Sequence, residues 1–245
     1  MTDSLIRHDE GAVCTLMLNR PAQRNAIDHT MLEWLQAYVP AIAADDSIAC
    51  VVLRGAGASF CAGVDLNSFT GNGAMPREAR VRALDMLAAL PQPVIAAVHG
   101  HCMTGGLELA LMADIIVADH SARFADTHGR WGLVPGWGMS QRLPRRIGAG
   151  QAAIMSYTGR VVEAEEAHHI GLIDMVAGEG ELDSVLAGLT GAIVAGSPFT
   201  VRHMKRLFRE TAGMMLADGL AHERATHPGA APDMADRVAR FTTRT

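Results

Sequence analysis

One stretch limits the fold more than any other: Pro93-Val-Ile-Ala-Ala-Val-His-Gly100, followed by His101-Cys-Met-Thr104-Gly105-Gly106-Leu-Glu108-Leu-Ala110. The first part is short, apolar, β-branched and bounded by Pro and Gly, which predicts a buried strand. Gly105-Gly106 then opens a run of good helix formers over residues 107–112. A strand that feeds a helix through a glycine turn leaves the first helical N–H groups without internal partners, with Thr104 as the expected cap. An anion or a developing oxyanion is stabilised at such a turn. Glu108 lies three residues past Gly105, on the same helical face one turn on. It reads either as a solvated helix position or as an acid/base beside an oxyanion donor. The apolar company favours the second reading, because no other charge follows on this helix until Asp114 and a carboxyl group among apolar side chains favours its acid form.

The rest of the chain bounds the setting of that turn. Its 245 residues allow one large domain, or a domain with an appendage, and a sizeable core. With 49% hydrophobic and 19% charged residues and a net charge of −5, neither nucleic acid nor an anionic membrane is expected as the main partner. The basic clusters Arg142-Leu-Pro-Arg145-Arg146 and Arg202-His-Met-Lys205-Arg206 read as solvated helix faces, with local phosphate contact as the alternative. Charges at Asp3, Arg7, Asp9 and Glu10 argue against a secretory signal, and no apolar run approaches the roughly 20 residues of a membrane span, so the expected compartment is the cytoplasm. Cys14, Cys50, Cys61 and Cys102 stand singly and are expected to be reduced and packed. His99-Gly-His101-Cys102 offers no convincing third and fourth ligand, so no metal is assigned.

In chain order, residues 13–19 alternate as a strand and end at the turn Arg20-Pro21. Thr30-Met-Leu-Glu33 matches a capping box, so a helix is expected from Thr30. Residues 48–53 form the next buried strand. The Gly55-Ala-Gly57 loop after it suggests a dinucleotide fingerprint, but the third glycine and the amphipathic helix are missing. Residues 71–76 read as a mobile loop before a helix over 76–90. Short strands are expected at 114–118 and 122–125. Asp126 to Gly138 carries a histidine, two tryptophans and several glycines, which marks a site loop. Helices are expected over 139–147 with a break at Pro144, then 151–157 and 163–169, then a strand at 172–176. From Glu181 onward the pattern is helical. Strands and helices alternate through two thirds of the chain and helices finish it, which is an α/β pattern with a helical C-terminal portion.

Three motifs together resemble the crotonase (enoyl-CoA hydratase/isomerase) superfamily: Leu18-Asn-Arg-Pro21 with Asn25-Ala26; Phe60-Cys-Ala-Gly-Val-Asp65-Leu66; and Pro93 to Gly100 leading into Gly105-Gly106-Leu-Glu108. The resemblance covers almost the whole chain. It implies a spiral of ββα units over residues 1–195, a helical trimerisation region over 196–245, and a homotrimer or a dimer of trimers. It also implies acyl-CoA substrates, with no cofactor beyond the coenzyme A of the substrate. By position, the amides of Val64 and Gly105 correspond to the oxyanion hole and Glu108 to one of two acidic residues that activate water. His128 stands in place of the second acid, and Asp126 is expected to orient its ring if the segment is extended. Arg24 corresponds to a basic residue near the CoA phosphates. Ala26, Cys61, Ala62, Asp65 and Leu66 fall in the CoA-binding strip, Lys205 is a further CoA contact, and Trp137 is expected to line the acyl pocket, with a core tryptophan as the alternative. The resemblance leaves three activities open: hydration of a 2-enoyl-CoA, double-bond isomerisation, and acyl-CoA binding without turnover.

Overall fold

In the computed structural model, residues 3–69 and 75–243 are described, so residues 71–74 of the expected mobile loop fall outside them. Six strands form a large sheet in the order β1 (Leu5–Glu10), β2 (Val13–Leu18), β3 (Cys50–Gly55), β4 (Val94–Val98), β6 (Ile115–Asp119) and β9 (Met175–Ala177). Only β1 and β2 run antiparallel in it. A small sheet holds β5 (His101–Met103), β7 (Arg123–Ala125) and β8 (Val162–Glu163). The helices are α1 (His29–Ala43), α2 (Leu66–Phe69), α3 (Arg77–Ala88), α4 (Gly105–Ala110), α5 (His128–Trp131), α6 (Met139–Ile147), α7 (Ala149–Thr158), α8 (Ala164–His169), α9 (Leu182–Ala195), α10 (Pro198–Thr211), α11 (Leu216–Ala225) and α12 (Met234–Thr242).

Every residue of β4 is buried, as expected of a parallel strand covered on both faces. Val94, Ala96 and Val98 join a main core with Leu35 of α1, Leu84 of α3 and Leu107 of α4. Ile95 and Ala97 turn the other way, onto Leu182 and Leu186 of α9. Each such side chain contributes about 1.5–3 kcal/mol if it is as large as Leu or Ile. After β4 the chain steps into the small sheet as β5 and then into α4; after β6 it steps into β7 and then α5. This repeated strand, strand, helix step is the expected spiral. Isolated parallel bridges, Cys61 to Cys102 and Ile27 to Val64, extend the second layer toward the α4 turn.

Several expectations are corrected. The edge strand β1 was not foreseen, because half of it is solvent-facing and charged. Helix α1 starts one residue before Thr30, capped by Asp28, whose Oδ1 accepts from the Met31 amide at 2.8 Å. Pro144 sits inside an unbroken α6. The strand expected at 172–176 is β9, shifted to Met175–Ala177. The four cysteines are buried thiols, and burial pushes Cys14 and Cys61 up to about 12 and Cys50 to about 11. No single helix among the described residues is long and apolar enough to cross a membrane.

Candidate active site

The turn before α4 is bent in an unusual way. Thr104 has φ 49° and ψ −109°, a conformation that a threonine adopts only when its surroundings impose it. Its amide donates to Ala125 O at 2.8 Å, and its hydroxyl meets the Thr127 hydroxyl and accepts from the Thr127 amide at 3.2 Å. The hydroxyl therefore does not cap α4, contrary to expectation; it ties the turn to the segment that carries His128. Gly105 follows because nothing larger fits: a Cβ there would stand 2.9 Å from Val64 Cγ2, 3.0 Å from Trp137 Cζ3 and 3.4 Å from the Val64 nitrogen.

Val64 is held by its neighbours. The Ile27 amide donates to Gly63 O at 2.8 Å and the Asp65 amide to Ile27 O at 2.9 Å, so the Val64 N–H faces away from Ile27. Among the described residues, neither the Val64 nor the Gly105 amide donates an internal hydrogen bond. Two unpartnered donors border each other, and Val64 lines a pocket.

Glu108 is 2% exposed. Its Oε1 accepts from the Trp137 amide at 2.9 Å and the Met139 amide at 3.1 Å. Gly138 between them has φ 109°, which turns both N–H groups toward one oxygen as a small anion nest. Oε2 stands 3.7 Å from His128 Nε2. Burial pushes the carboxyl group above its usual range, and the two amides and the His128 charge only partly oppose it.

His128 Nδ1 lies 2.6 Å from Asp126 Oδ1, which also accepts the His128 amide at 3.2 Å. The pairing was foreseen, but not by this route. Thr127 at φ −101° and ψ 14° turns the chain, so the contact closes within a tight turn rather than along an extended segment. A carboxylate oxygen can only accept, so Nδ1 carries the proton and Nε2 faces Glu108. Burial acts to lower the His128 pKa, yet the hydrogen bond to Asp126 and the charge of Glu108 hold it above the ordinary imidazole value. Burial acts to raise Asp126, but hydrogen bonds from His128 and Ser156 keep it below the usual range.

These groups face a cavity of 410 Å³ whose lining includes Val64, Leu66, Glu108, His128, Val134 and Trp137. Trp137, expected at the acyl pocket, and Leu66, expected in the CoA-binding strip, both line this cavity. Arg24, Ala26 and Ala62 form one strip leading to Val64: the Ala62 amide donates to Arg24 O at 2.9 Å, and Arg20 Nη1 to Ala26 O at 2.6 Å. Three expected contacts are used otherwise. Cys61 has a fully buried side chain, and its amide and carbonyl bond to His101 O at 2.8 Å and the Met103 amide at 3.0 Å. Asp65 pairs with Arg20 Nη2 at 2.8 Å and accepts the Asn67 amide at 3.1 Å. Lys205 is buried away from the pocket, with Nζ 2.6 Å from Asp114 Oδ2 and 2.8 Å from Gln92 O. Sequence reasoning missed the Trp137 and Met139 amides and the lining residues Arg77 and Arg80. The glycines flanking Trp137 were the available signal for the first pair; helix periodicity gave none for the arginines.

A strand-strand-helix spiral with two adjacent unpartnered amides and a buried carboxylate on the helix that follows defines an enzyme of the crotonase class. The sequence matches the model of the family described as enoyl-CoA hydratase/isomerase over residues 8–234. The chain belongs to that family. YngF of Bacillus subtilis, whose name places it among enoyl-CoA hydratases/isomerases, is 38% identical over 244 residues, 95% of this chain and 92% of that protein. The 2,3-dehydroadipyl-CoA hydratase of Escherichia coli is 35% identical over 90% of this chain and 87% of its own. The crystal structure of an enoyl-CoA hydratase from Bacillus anthracis superposes with a TM-score of 0.92 at 32% identity, covering 98% of this chain and 96% of that one.

Proposed function

We propose that this protein is an enoyl-CoA hydratase that adds water across the C2–C3 double bond of a 2-enoyl-CoA. The observation that carries the reading is the divided carboxylate of Glu108: one oxygen fixed by two backbone amides, the other aimed at His128 Nε2 in a pocket lined by Val64, with Gly105 packed against Val64. The thioester oxygen takes both amides, and they strengthen as the oxygen becomes enolate-like; each such donor is worth about 3 kcal/mol. The 3.7 Å between Glu108 Oε2 and His128 Nε2 is too long for a direct hydrogen bond and suits a water molecule held by both. Glu108 takes a proton from that water as its oxygen bonds to C3, and a proton is then returned to C2, so one water is consumed and the site is restored. The raised proton affinity of Glu108 suits both transfers. Relatives named as hydratases support this reading.

A specific observation favours a second reading, double-bond isomerisation. The pocket offers one carboxylate and an imidazole in place of two carboxylates, and a single shuttling base suffices to move a proton between C2 and C4. We further propose that Arg24, Ala26 and Ala62 receive the CoA moiety. The chain is also proposed to form a trimer through α10–α12, where Phe208, Leu216 and Phe241 are more than two-thirds exposed.

Incubation of the purified protein with crotonyl-CoA and, separately, a 3-enoyl-CoA distinguishes the readings. Formation of 3-hydroxybutyryl-CoA, lost in His128→Ala, supports hydration with imidazole assistance. Conversion of the 3-enoyl-CoA to the 2-enoyl-CoA without hydrated product supports isomerisation. Binding of both without turnover refutes both catalytic readings.

A further inference from the structure

Two guanidinium groups line the same cavity as Glu108 and His128: Arg77 and Arg80, one turn apart on α3. Arg77 Nη2 reaches to 3.7 Å from where a Cβ on Gly136 would stand, and Gly136 adjoins Trp137, whose ring edge packs over Gly105. The arginine therefore abuts the loop that forms the far wall of the oxyanion turn. Among the described residues no ion pair engages Arg77, and the one carboxylate lining the cavity, Glu108, has its oxygens turned to Trp137, Met139 and His128. A purely hydrocarbon acyl chain gives nothing back for the water that it displaces from a guanidinium. A terminal carboxylate does, through charge-assisted and bidentate hydrogen bonds.

We propose that the acyl group taken by this pocket ends in a carboxylate, and that Arg77 and Arg80 select it. The proposal rests on the acyl-CoA reading above and names the substrate class of that same site: a 2-enoyl thioester of a dicarboxylic acid.

The test compares two 2-enoyl-CoA esters of equal chain length, one ending in a carboxylate and one in a methyl group. The wild-type protein, the double variant Arg77→Gln/Arg80→Gln, and Arg82→Gln, an exposed position on the same helix outside the cavity lining, are assayed with both. Dissociation constants for the corresponding saturated acyl-CoA esters are measured in parallel by calorimetry. The expected result is a preference of about tenfold or more in kcat/KM for the carboxylate-ended ester, abolished in the double variant and kept within about twofold in Arg82→Gln. A wild-type protein that treats the two esters alike overturns the proposal. So does an equal loss on both esters in the double variant, which would assign the arginines to the CoA phosphates or to folding. If neither ester is hydrated, the catalytic reading fails on its own, and the affinity ratio still decides: a wild-type preference abolished in the double variant sustains the proposal, and parity refutes it.

Discussion

At Glu108 the two carboxylate oxygens have different neighbours, and the site's chemistry follows from that asymmetry. Oε1 is immobilised by the Trp137 and Met139 amides, so Oε2 keeps the fixed aim that the proposed proton exchange requires. Gly105 is as constrained as the carboxylate. In Gly105→Ala the new methyl meets Val64 Cγ2 and Trp137 Cζ3, which displaces one of the two amide donors. The expected outcome is a fall in kcat of about 10²–10³-fold, read from steady-state kinetics, with a smaller change in KM. Asp126 acts through His128. Removing its charge in Asp126→Asn lowers the His128 pKa toward the ordinary value of about 6.5, read from the imidazole Hε1 shift across a pH titration. The linkage has a definite sign. A folded-state pKa above the unfolded one gives stabilisation that is full below about pH 6.5 and fades as pH rises through the raised value. Denaturant unfolding should therefore show this alkaline loss in the wild type and a weaker one in Asp126→Asn.

Among the elements, α4 and the strand before it were readable because their signals are local: a short buried run, a glycine pair, then helix formers. The Thr104 cap was misread for the opposite reason. Its hydroxyl is claimed by Thr127, 23 residues on, and no local pattern reports that pairing. The α1 cap moved from Thr30 to Asp28 because a second good capping residue lay just upstream. Glu108 and His128 stood out in the sequence as chemistry-bearing residues in apolar or glycine-rich company. Arg77 and Arg80 did not, because which face of α3 meets the pocket is decided by packing against α1 and the Trp137 loop. Lys205 shows the same limit. Its basic cluster looked like a solvated face or a phosphate contact, yet its ammonium group pins α10 to Asp114 and Gln92. Lys205→Met is expected to lower unfolding stability by about 2 kcal/mol in denaturant titration, since a partly buried carboxylate loses its partner. An unpaired surface lysine would move it by less than about 0.5 kcal/mol.

On the scale of the whole molecule, two layers cooperate. The large sheet and its two covered faces supply rigidity, and the second layer carries the bridges that set Val64 beside Gly105. An apolar face of α10–α12 is left uncovered. Light scattering is expected to give a particle three times the 26.0 kDa chain mass, and Phe208→Glu to shift it toward monomer. The account as a whole stands on a thioester carbonyl gripped by two amides within reach of one carboxylate, and the rate of crotonyl-CoA hydration in Glu108→Gln against wild type tests it most directly. The account predicts a loss in kcat of about 10²–10⁴-fold with the fold intact. Hydration by Glu108→Gln at the wild-type rate would contradict it.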